Sequence, residues 1–228
     1  MEIKMFKKTV LKATAIAVLL ATEVFAVDDA SKQFEKAWQN PAYTQIELEP
    51  VDINGVISKY YTTSKPVHFT KDMLWDMERR KAWDPKTFIP HVVSEGHSWG
   101  RKQLGNGDES LIRWSKQRQW KTGNYGIVIE QVALLNKEQK AIFIGLSQTV
   151  DDSDKTIHAS TTQPLFHVEH GVAGTYDRPL NTWRIVHLTK AKDQELIEKF
   201  KTYRDPTTLP MYVVVYIEKV LGVNITKN

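Results

Sequence analysis

The clearest hydrophobic pattern in the chain lies close to its C-terminus. Its members recur at intervals of four, three and four residues, and they are Leu209, Val213, Tyr216 and Val220. On a helix this spacing places the side chains in one stripe, which is typical of a face buried against the rest of the protein. Glycine is a common helix end, so the sequence predicts a helix that begins near Leu209 and ends before Gly222.

In the middle of the chain, hydrophobic residues recur with a shorter period, close to two residues. Ile127 and Ile129 alternate with Val128 and Glu130, as side chains do on the two faces of a strand. Segments of this kind predict strands at 96–102, 110–121, 125–135, 140–150, 163–176 and 182–189. Short polar turns separate them, which favours an antiparallel sheet over a parallel one.

Helix signals stand before the predicted strands. Ser31 is a suitable N-cap for a short helix over 31–38, and Thr70 is a suitable N-cap for a second helix. Asp84-Pro85 ends that second helix, because a residue before proline is disfavoured in the helical conformation.

Two segments are less regular. Residues 55–69 are rich in Val, Ile, Tyr and Thr and are predicted to be extended, whereas residues 195–203 fit either a helix or an edge strand. The whole pattern predicts an α+β fold. In it, an antiparallel β-sheet wraps around a long C-terminal helix, with short helices near the N-terminus.

The first 26 residues have the three parts of a secretory signal peptide. Four lysines precede an apolar run over 13–20, and a small residue, Ala26, follows. The apolar run is shorter than the roughly 20 residues that span a bilayer, which favours cleavage over a membrane anchor. We therefore expect a signal peptide over 1–26, a single domain over 27–228, and a periplasmic or secreted location after cleavage.

Composition narrows the classes of partner and site. The 228-residue chain has no Cys, which excludes zinc–thiolate sites, disulfides and a cysteine nucleophile. Its formal net charge is +4, and the predicted leader carries four Lys and two Glu, so the remainder is close to neutral. We expect no nucleic-acid partner, no stable membrane span and no cofactor. A transient membrane contact is compatible with the sequence.

Three features stand in order near the C-terminus. They are a strand containing Trp183, the run Tyr203-Arg204-Asp205-Pro206, and the pair Leu209-Pro210 at the start of the last helix. In this order they resemble the C-terminal end of START-like domains of the helix-grip superfamily, which includes polyketide cyclases and lipid-transport proteins. The family usually has Gly-Gly after the Asp-Pro pair, where this chain has Thr207-Thr208.

The resemblance implies a deep apolar cavity between the sheet and the C-terminal helix. Such domains mostly bind lipids, sterols or aromatic metabolites, and a minority catalyse cyclisation or hydrolysis. We therefore predict an exported, soluble protein that binds a hydrophobic small molecule or a lipid. The predicted ligand-binding residues are Trp99, Trp114, Trp120, His167, Trp183, Leu209, Tyr212, Val213 and Tyr216. Which face of each middle strand lines the cavity stays open, because a one-residue shift in register exchanges the faces.

A basic residue lies among the aromatic ones. Arg113 directly precedes Trp114, so the two side chains point to opposite faces of a strand. Arg113 either stacks on a tryptophan of a neighbouring strand or lies in the cavity, where it would bind a carboxylate.

Residues 167–170, His-Val-Glu-His, carry side chains that can bind metals. On a strand, His167 and Glu169 share one face and His170 lies on the other. A three-ligand site would need a partner such as His158 or His187 from a neighbouring strand. Surface histidines on a strand are the simpler interpretation, and we predict no metal site.

Two alternatives to ligand carriage remain. Residues 96–100 match Gly-x-Ser-x-Gly, which would make Ser98 the nucleophile of a small periplasmic serine hydrolase, with Asp177 and His187 as partners. That chemistry needs a strand before the serine and a helix directly after it, and the residues that follow are poor helix formers. The other alternative is a non-catalytic module that docks on an envelope partner.

Overall fold

The computed structural model describes residues 27–104, 106–189, 191–203 and 205–228. The helices are α1 (Val27–Trp38), α2 (Ile53–Tyr60), α3 (Lys71–Trp83), α4 (Pro85–Phe88), α5 (Gln194–Thr202) and α6 (Met211–Lys219). The strands are β1 (Thr44–Asp52), β2 (Tyr61–Thr63), β3 (Val93–Gln103), β4 (Glu109–Arg118), β5 (Tyr125–Leu135), β6 (Lys140–Leu146), β7 (Gln148–Val150), β8 (Thr156–His158), β9 (Phe166–Thr175), β10 (Arg178–His187) and β11 (Ile225–Lys227). The predicted signal peptide, residues 1–26, lies outside the described residues, and so does Arg204.

Seven strands form one antiparallel sheet in the order β1-β10-β9-β6-β5-β4-β3. Strand β11 pairs with β2, and β7 pairs with β8, in two small sheets. The predicted α+β class with an antiparallel sheet is confirmed, although the predicted strand over 140–150 is divided into β6 and β7. No helix of the described part of the chain is long and apolar enough to cross a membrane.

One face of the sheet, called here the inner face, carries most of the helices. Helices α2 and α3 lie against its strands, and α6 packs on α3 and α4. The shared core is apolar, and its members include the buried side chains Phe69, Leu74, Met77, Val213 and Ile217. The inner face and its helices therefore form the larger of two cores.

Helix α3 begins and ends where the sequence predicts. The hydroxyl of Thr70 accepts a hydrogen bond from the backbone N–H of Met73 at 3.2 Å, as an N-cap should. Asp84 follows the last turn of α3, and its carboxylate accepts from the N–H of Thr87 at 3.1 Å, which caps α4. Pro85 takes the first turn of α4, where its missing N–H has no cost.

The opposite face, called here the outer face, has a core of its own. Helix α1 lies on this face, and Phe34 is fully buried against Ile142, Ile144 and Val186 of the sheet. The predicted helix over 31–38 is thus present, but it starts earlier, at Val27. With α1 on one side and α3 on the other, the sheet is covered on both faces.

The prediction of extended chain over 55–69 is wrong for residues 55–60, whereas residues 61–63 do form a strand, β2. Residues 53–60 form α2, because Asp52 caps the helix by accepting from the N–H of Gly55 at 3.0 Å. Ile53, Val56 and Ile57 are buried, and their spacing of three and four residues fits one helix face. The high β propensity of the segment is overridden by this tertiary burial.

The C-terminal helix is shorter than predicted. Helix α6 has nine residues, begins after Pro210 and ends at Lys219. Leu209 is buried but lies before the helix. Residues 195–203, which fit two structures, are mainly helical in α5, and the side chain of Asp193 caps them.

Candidate functional site

A cavity of about 670 Å³ lies between the inner face of the sheet and the helices. Its walls come from the sheet, from the end of α3, from α5, and from the segment that leads into α6. The apolar part of the wall includes Phe143, Phe166, Val168, Trp120, Trp183 and Leu209. A volume of this size lies within the range of small-molecule sites.

The pleat of the strands decides which side chains reach the cavity. On β9, Phe166, Val168 and His170 line the cavity, whereas the alternate residues His167 and Glu169 point to the outer face. The predicted division of residues 167–170 between two faces is therefore present, with His170 on the side of the cavity.

A cluster of buried polar side chains closes one end of the cavity, called here the inner end. Lys81, on the last turn of α3, pairs with Glu78 at 2.5 Å, and its ammonium donates to Nδ1 of His170 at 2.9 Å. The side chains of Lys81 and Glu78 are 4% and 0% exposed. Charged groups are rarely buried so completely unless they are paired, and here each charge has a partner.

Helix α6 contributes an aromatic member to this cluster. The hydroxyl of Tyr212 donates to Oδ1 of Asn181 at 2.6 Å, and Nδ2 of Asn181 donates to Glu78 at 2.9 Å. The ammonium of Lys81 lies 4.0 Å from the centroid of the Tyr212 ring, within the range of a cation–π contact. The inner end thus connects α3, β9, β10 and α6.

A second ion pair lies beside the first. Arg113 donates from Nε to Oε2 of Glu130 at 2.7 Å. Its Nη1 donates to the carbonyl oxygens of Lys81 and Ala82 at 3.2 and 3.0 Å. These carbonyls belong to the last turn of α3. The carbonyl oxygens of a last turn have no hydrogen-bond donors within the helix. Arg113 therefore anchors the end of α3 on the sheet and faces the cavity.

Burial and charge shift the pKa values of the cluster. Burial would raise the pKa of Glu78, but the attraction of Lys81 and His170 outweighs it and lowers the pKa to about 2. Burial lowers the pKa of Lys81 to about 8 in spite of Glu78. Burial and the nearby Lys81 charge lower the pKa of His170 to about 4. Near neutral pH, Glu78 is an anion, Lys81 is mainly a cation and His170 is neutral.

The predicted ligand-binding residues fall into two groups. Trp120, Trp183, Leu209 and Tyr212 line the cavity, and their contact with a ligand stays a prediction. Trp99, Trp114, His167, Val213 and Tyr216 do not line it.

Helix α6 separates some of these residues from the cavity. Val213 is fully buried in the core. The hydroxyl of Tyr216 donates to Asp76 at 2.9 Å, and its ring packs on Phe69 with centroids 5.7 Å apart. Both side chains point from α6 toward α3 and the core, so α6 reaches the cavity wall through its first two residues, Met211 and Tyr212.

The remaining three predicted residues, Trp114, Trp99 and His167, lie on strands, and their side chains do not point into the cavity. Arg113 faces inward, so the adjacent Trp114 faces outward. The ring of Trp99 stacks on His97 with centroids 5.6 Å apart, on the edge strand β3. His167 lies on the outer face, where its Nδ1 accepts from the N–H of Gly145 at 3.1 Å. The sequence left open which face of each middle strand lines the cavity. In the structure it is the face of β4 that carries Arg113 and the face of β9 that carries His170.

The geometry does not support a serine hydrolase. Ser98 lies within the continuous strand β3, with no helix directly after it, and its hydroxyl donates to the carbonyl of Trp83 at 2.7 Å. His187 lies on β10, near the other edge of the sheet from β3. Asp177 lies in the turn between β9 and β10, beside His68. The Gly-x-Ser-x-Gly match is therefore a chance match in a strand.

Among the described residues, no group of three or more His, Asp or Glu side chains could hold a metal ion. The inner end has carboxylates and a histidine, but the hydrogen bonds of these side chains are with Lys81, Arg113 and Asn181. The arrangement is that of a self-neutralising polar cluster at the end of an apolar cavity.

Sequence reasoning missed most of the inner end, although one signal was present. Leu74, Glu78 and Lys81 are spaced by four and three residues, so two charged side chains lie on the buried stripe of a helix. A charge on such a stripe indicates a buried polar partner. The partners, His170 and Asn181, have no comparable sequence signal, because the sheet face on which their side chains lie depends on strand register.

Comparisons with known proteins give distant likenesses of fold. No protein-family model matches the chain, and no curated protein matches it. Among solved structures, a Zhui aromatase/cyclase from a Streptomyces species has 11% identity and a TM-score of 0.40, covering 78% of this chain and 91% of its own. A START superfamily protein from Mycobacterium smegmatis has 10% identity and a TM-score of 0.37, covering 63% and 88%.

A third similar structure is norcoclaurine synthase from Thalictrum flavum in complex with dopamine and hydroxybenzaldehyde. It has 10% identity and a TM-score of 0.41, and the match covers 77% of this chain and 95% of the synthase. One of these structures is described as a START superfamily protein, the group that the C-terminal residues resemble. The likenesses are distant, so the α+β class with an antiparallel sheet is confirmed by the structure itself, and the START-like resemblance stays a prediction. Identities this low transfer neither activity nor ligand.

Proposed function

We propose that this protein binds a hydrophobic small molecule or a lipid in the cavity between the sheet and the C-terminal helix. The observation that carries the proposal is the cavity of about 670 Å³, whose walls are largely aromatic and aliphatic. Folded proteins fill such spaces with side chains unless the space has a use, because interiors are close-packed.

Binding would rest on burial of the apolar part of the ligand. Each CH₂ group that leaves water contributes about 0.8 kcal/mol, so a partly buried acyl chain reaches micromolar affinity. The polar inner end would fix the orientation of the ligand. The segment that leads into α6 would act as the gate, since Leu209 and Met211 border the cavity and Met211 is 46% exposed.

Export to the periplasm or outside the cell is part of the same proposal. It is supported by the three-part sequence over 1–26. A carrier outside the cytoplasm would transfer apolar molecules through water, which is consistent with a cavity that shields them. Native mass spectrometry of protein purified from its own host, before and after solvent extraction, would show a bound molecule and its class.

A cavity-filling variant tests the site directly. Leu48 of β1 lines the cavity, so Leu48→Trp should occupy part of the volume and weaken binding of the neutral fluorescent probe N-phenyl-1-naphthylamine at least tenfold. Glu47→Trp is the matched control, because Glu47 is exposed on the same strand and faces outward. Equal probe binding by both variants, or no binding by the wild type, would contradict the proposal.

A further inference from the structure

The cavity opens to water where its lining residues are exposed, and this opening is called here the mouth. The exposed lining residues come from β1, from the ends of β4 and α5, and from two connecting segments. They are Glu49, His91, Arg118, Tyr203, Asp205 and Met211. A charged group of a ligand loses less hydration at the mouth than at the buried inner end, so the mouth is the less costly place for a charge.

Two cations lie on one side of the mouth, at the turn over 119–123. The guanidinium of Arg118 lies against this turn, since a Cβ atom added to Gly123 would be 3.9 Å from its Nε and Nη2. The ammonium of Lys199, on α5, donates to the carbonyl oxygen of Lys121 in the same turn at 3.4 Å. Both side chains line the cavity, so one short turn brings two positive charges to the same side of its opening.

Tyr203 gives a second link between the two cations. It follows Lys199 by four residues, which places the two on one side of the end of α5. Burial raises the pKa of Tyr203, and the charge of Arg118 opposes that rise, so Arg118 lies near the phenol. Arg118 therefore lies beside the same end of α5 that carries Lys199.

Neither of the two cations has a carboxylate partner in the part of the chain that the structure describes, whereas the lysines around them do. Those pairs are Lys121 with Asp193 at 2.6 Å, Lys201 with Glu198 at 2.6 Å, and Lys227 with Asp205 at 3.2 Å. The other exposed carboxylate of the mouth, Glu49, is on β1, and four strands separate β1 from β4 in the sheet. The side of the mouth at Arg118 and Lys199 thus carries positive charge that is not neutralised.

The inner end of the cavity has no such surplus. Lys81 pairs with Glu78 at 2.5 Å, and Arg113 pairs with Glu130 at 2.7 Å. A ligand charge at the inner end would be buried without a free counter-charge, which is costly. The two ends of the cavity therefore favour one orientation, with an uncharged end of the ligand inside and an anionic end at the mouth.

We propose that the ligand is an amphiphile with an anionic head, a carboxylate or a phosphate monoester, which stays at the mouth beside Arg118 and Lys199 while its apolar chain lies in the cavity. The inference rests on the proposed function of the cavity and names the class of its ligand. Guanidinium and ammonium groups both donate to anionic oxygens. No single oxygen has to contact both cations, because the attraction between charges acts over several ångströms.

The first test compares two ligands that share an alkyl chain and differ in the sign of their charge. At pH 7, decanoate and decylamine are titrated against the wild-type protein with bound N-phenyl-1-naphthylamine, and displacement is followed by fluorescence. Decanoate should displace the probe at a concentration at least about fivefold lower, and added salt should reduce the difference. Displacement by decylamine at an equal or lower concentration would overturn the inference.

Single variants then locate the charge that the head contacts. Arg118→Gln and Lys199→Gln should each weaken decanoate binding about two- to fivefold, as the loss of one partly exposed charge predicts, and should leave binding of 1-decanol unchanged. Lys116→Gln on β4 and Lys201→Gln on α5 are matched controls, because each removes one positive charge from the same element and neither residue lines the cavity. Equal weakening by the controls would assign the effect to net charge and overturn the inference.

Reversal of both charges gives the sharpest test. In the double variant Arg118→Glu with Lys199→Glu, decylamine should displace the probe at a lower concentration than decanoate, and an unchanged order would contradict the proposal. Probe affinity close to that of the wild type shows that the variant has kept its cavity. With the wild type, decyl phosphate is compared with decanoate. Tighter binding of either supports an anionic head and identifies it as phosphate or carboxylate.

The proposed function and the anionic head fail in different ways. If the wild type does not bind N-phenyl-1-naphthylamine at all, the proposed function is wrong. If the probe binds, but decanoate and decylamine displace it equally well, the cavity binds apolar molecules and the assignment of the head is wrong.

Discussion

Each face of the sheet holds an arginine paired with glutamate, but the surroundings of the two arginines differ. On the outer face, Arg184 donates to Glu169 at 2.8 Å and to Glu35 of α1 at 2.6 Å. Its guanidinium also lies 4.9 Å from the centroid of the Phe34 ring and 5.0 Å from that of Trp38. The Arg184 side chain is 17% exposed and fastens a helix to a closely packed surface.

On the inner face, Arg113 also fastens a helix, but beside the cavity. Its guanidinium binds the last carbonyls of α3 and Glu130, and its side chain is 5% exposed. The comparison shows that one pairing serves two purposes. Where the helix packs directly on the sheet, as α1 does, the ion pair completes a structural core. Where the end of the helix borders the cavity, as that of α3 does, the ion pair becomes part of the cavity wall.

The largest effect on stability is expected from loss of the buried ion pair between Lys81 and Glu78. Lys81→Met removes the ammonium and leaves Glu78 buried without its counter-charge, which should lower the free energy of unfolding by about 3 to 5 kcal/mol. Urea unfolding followed by circular dichroism would measure it. The double variant Lys81→Met with Glu78→Gln should regain part of the loss. A cost below about 1 kcal/mol for Lys81→Met would show that the inner cluster contributes little to stability.

A smaller effect on stability is expected when His187, a buried histidine on the inner face, is replaced. His187 lies against Trp120 and Phe200, and neither ring nitrogen has a hydrogen-bond partner among the described residues. Because such a group is costly to bury, His187→Leu should raise the free energy of unfolding at pH 7 by about 1 to 3 kcal/mol.

The same residue makes stability depend on pH. Burial lowers the pKa of His187 to about 4 from 6.5, so between these pH values the unfolded chain binds a proton that the folded chain does not. Stability should therefore fall as the pH is lowered through this window, and the slope should be shallower in His187→Leu.

The smallest effect is expected on the outer face. Arg184→Met keeps an apolar stem against Phe34 and removes the ion pair, and because part of the site is exposed the cost should be about 1 to 2 kcal/mol. Probe binding in the cavity should be unchanged, as measured by N-phenyl-1-naphthylamine titration. A cost equal to that of Lys81→Met would remove the distinction drawn between the two faces.

The sequence predicted the elements better than the site. Caps and periodicity located α3 and β5, because these signals depend on neighbours along the chain. The sequence places Arg113 on the strand face opposite to that of Trp114, but it does not show which of the two side chains faces inward. That choice depends on the contact between β4 and α3, which is a tertiary property.

Two errors have the same origin. Segment 55–69 has strand-like composition, but Asp52 and the buried stripe of α2 make its first part helical. Four tryptophans, Trp99, Trp114, Trp120 and Trp183, are predicted to line the cavity, whereas Trp99 and Trp114 lie elsewhere. Composition indicates which side chains can line a wall, and packing between distant elements decides which of them do.

The pairing of β1 with β10 also determines when the chain can fold. Strand β1 lies at the edge of the sheet, and Thr44 pairs with His187, far along the chain. During synthesis, the first strand must wait until nearly the whole protein has left the ribosome, and such distant pairing is slow to form. For a chain that is exported, as proposed here, this delay is useful, because a polypeptide that has not yet folded can still be threaded through a translocation channel.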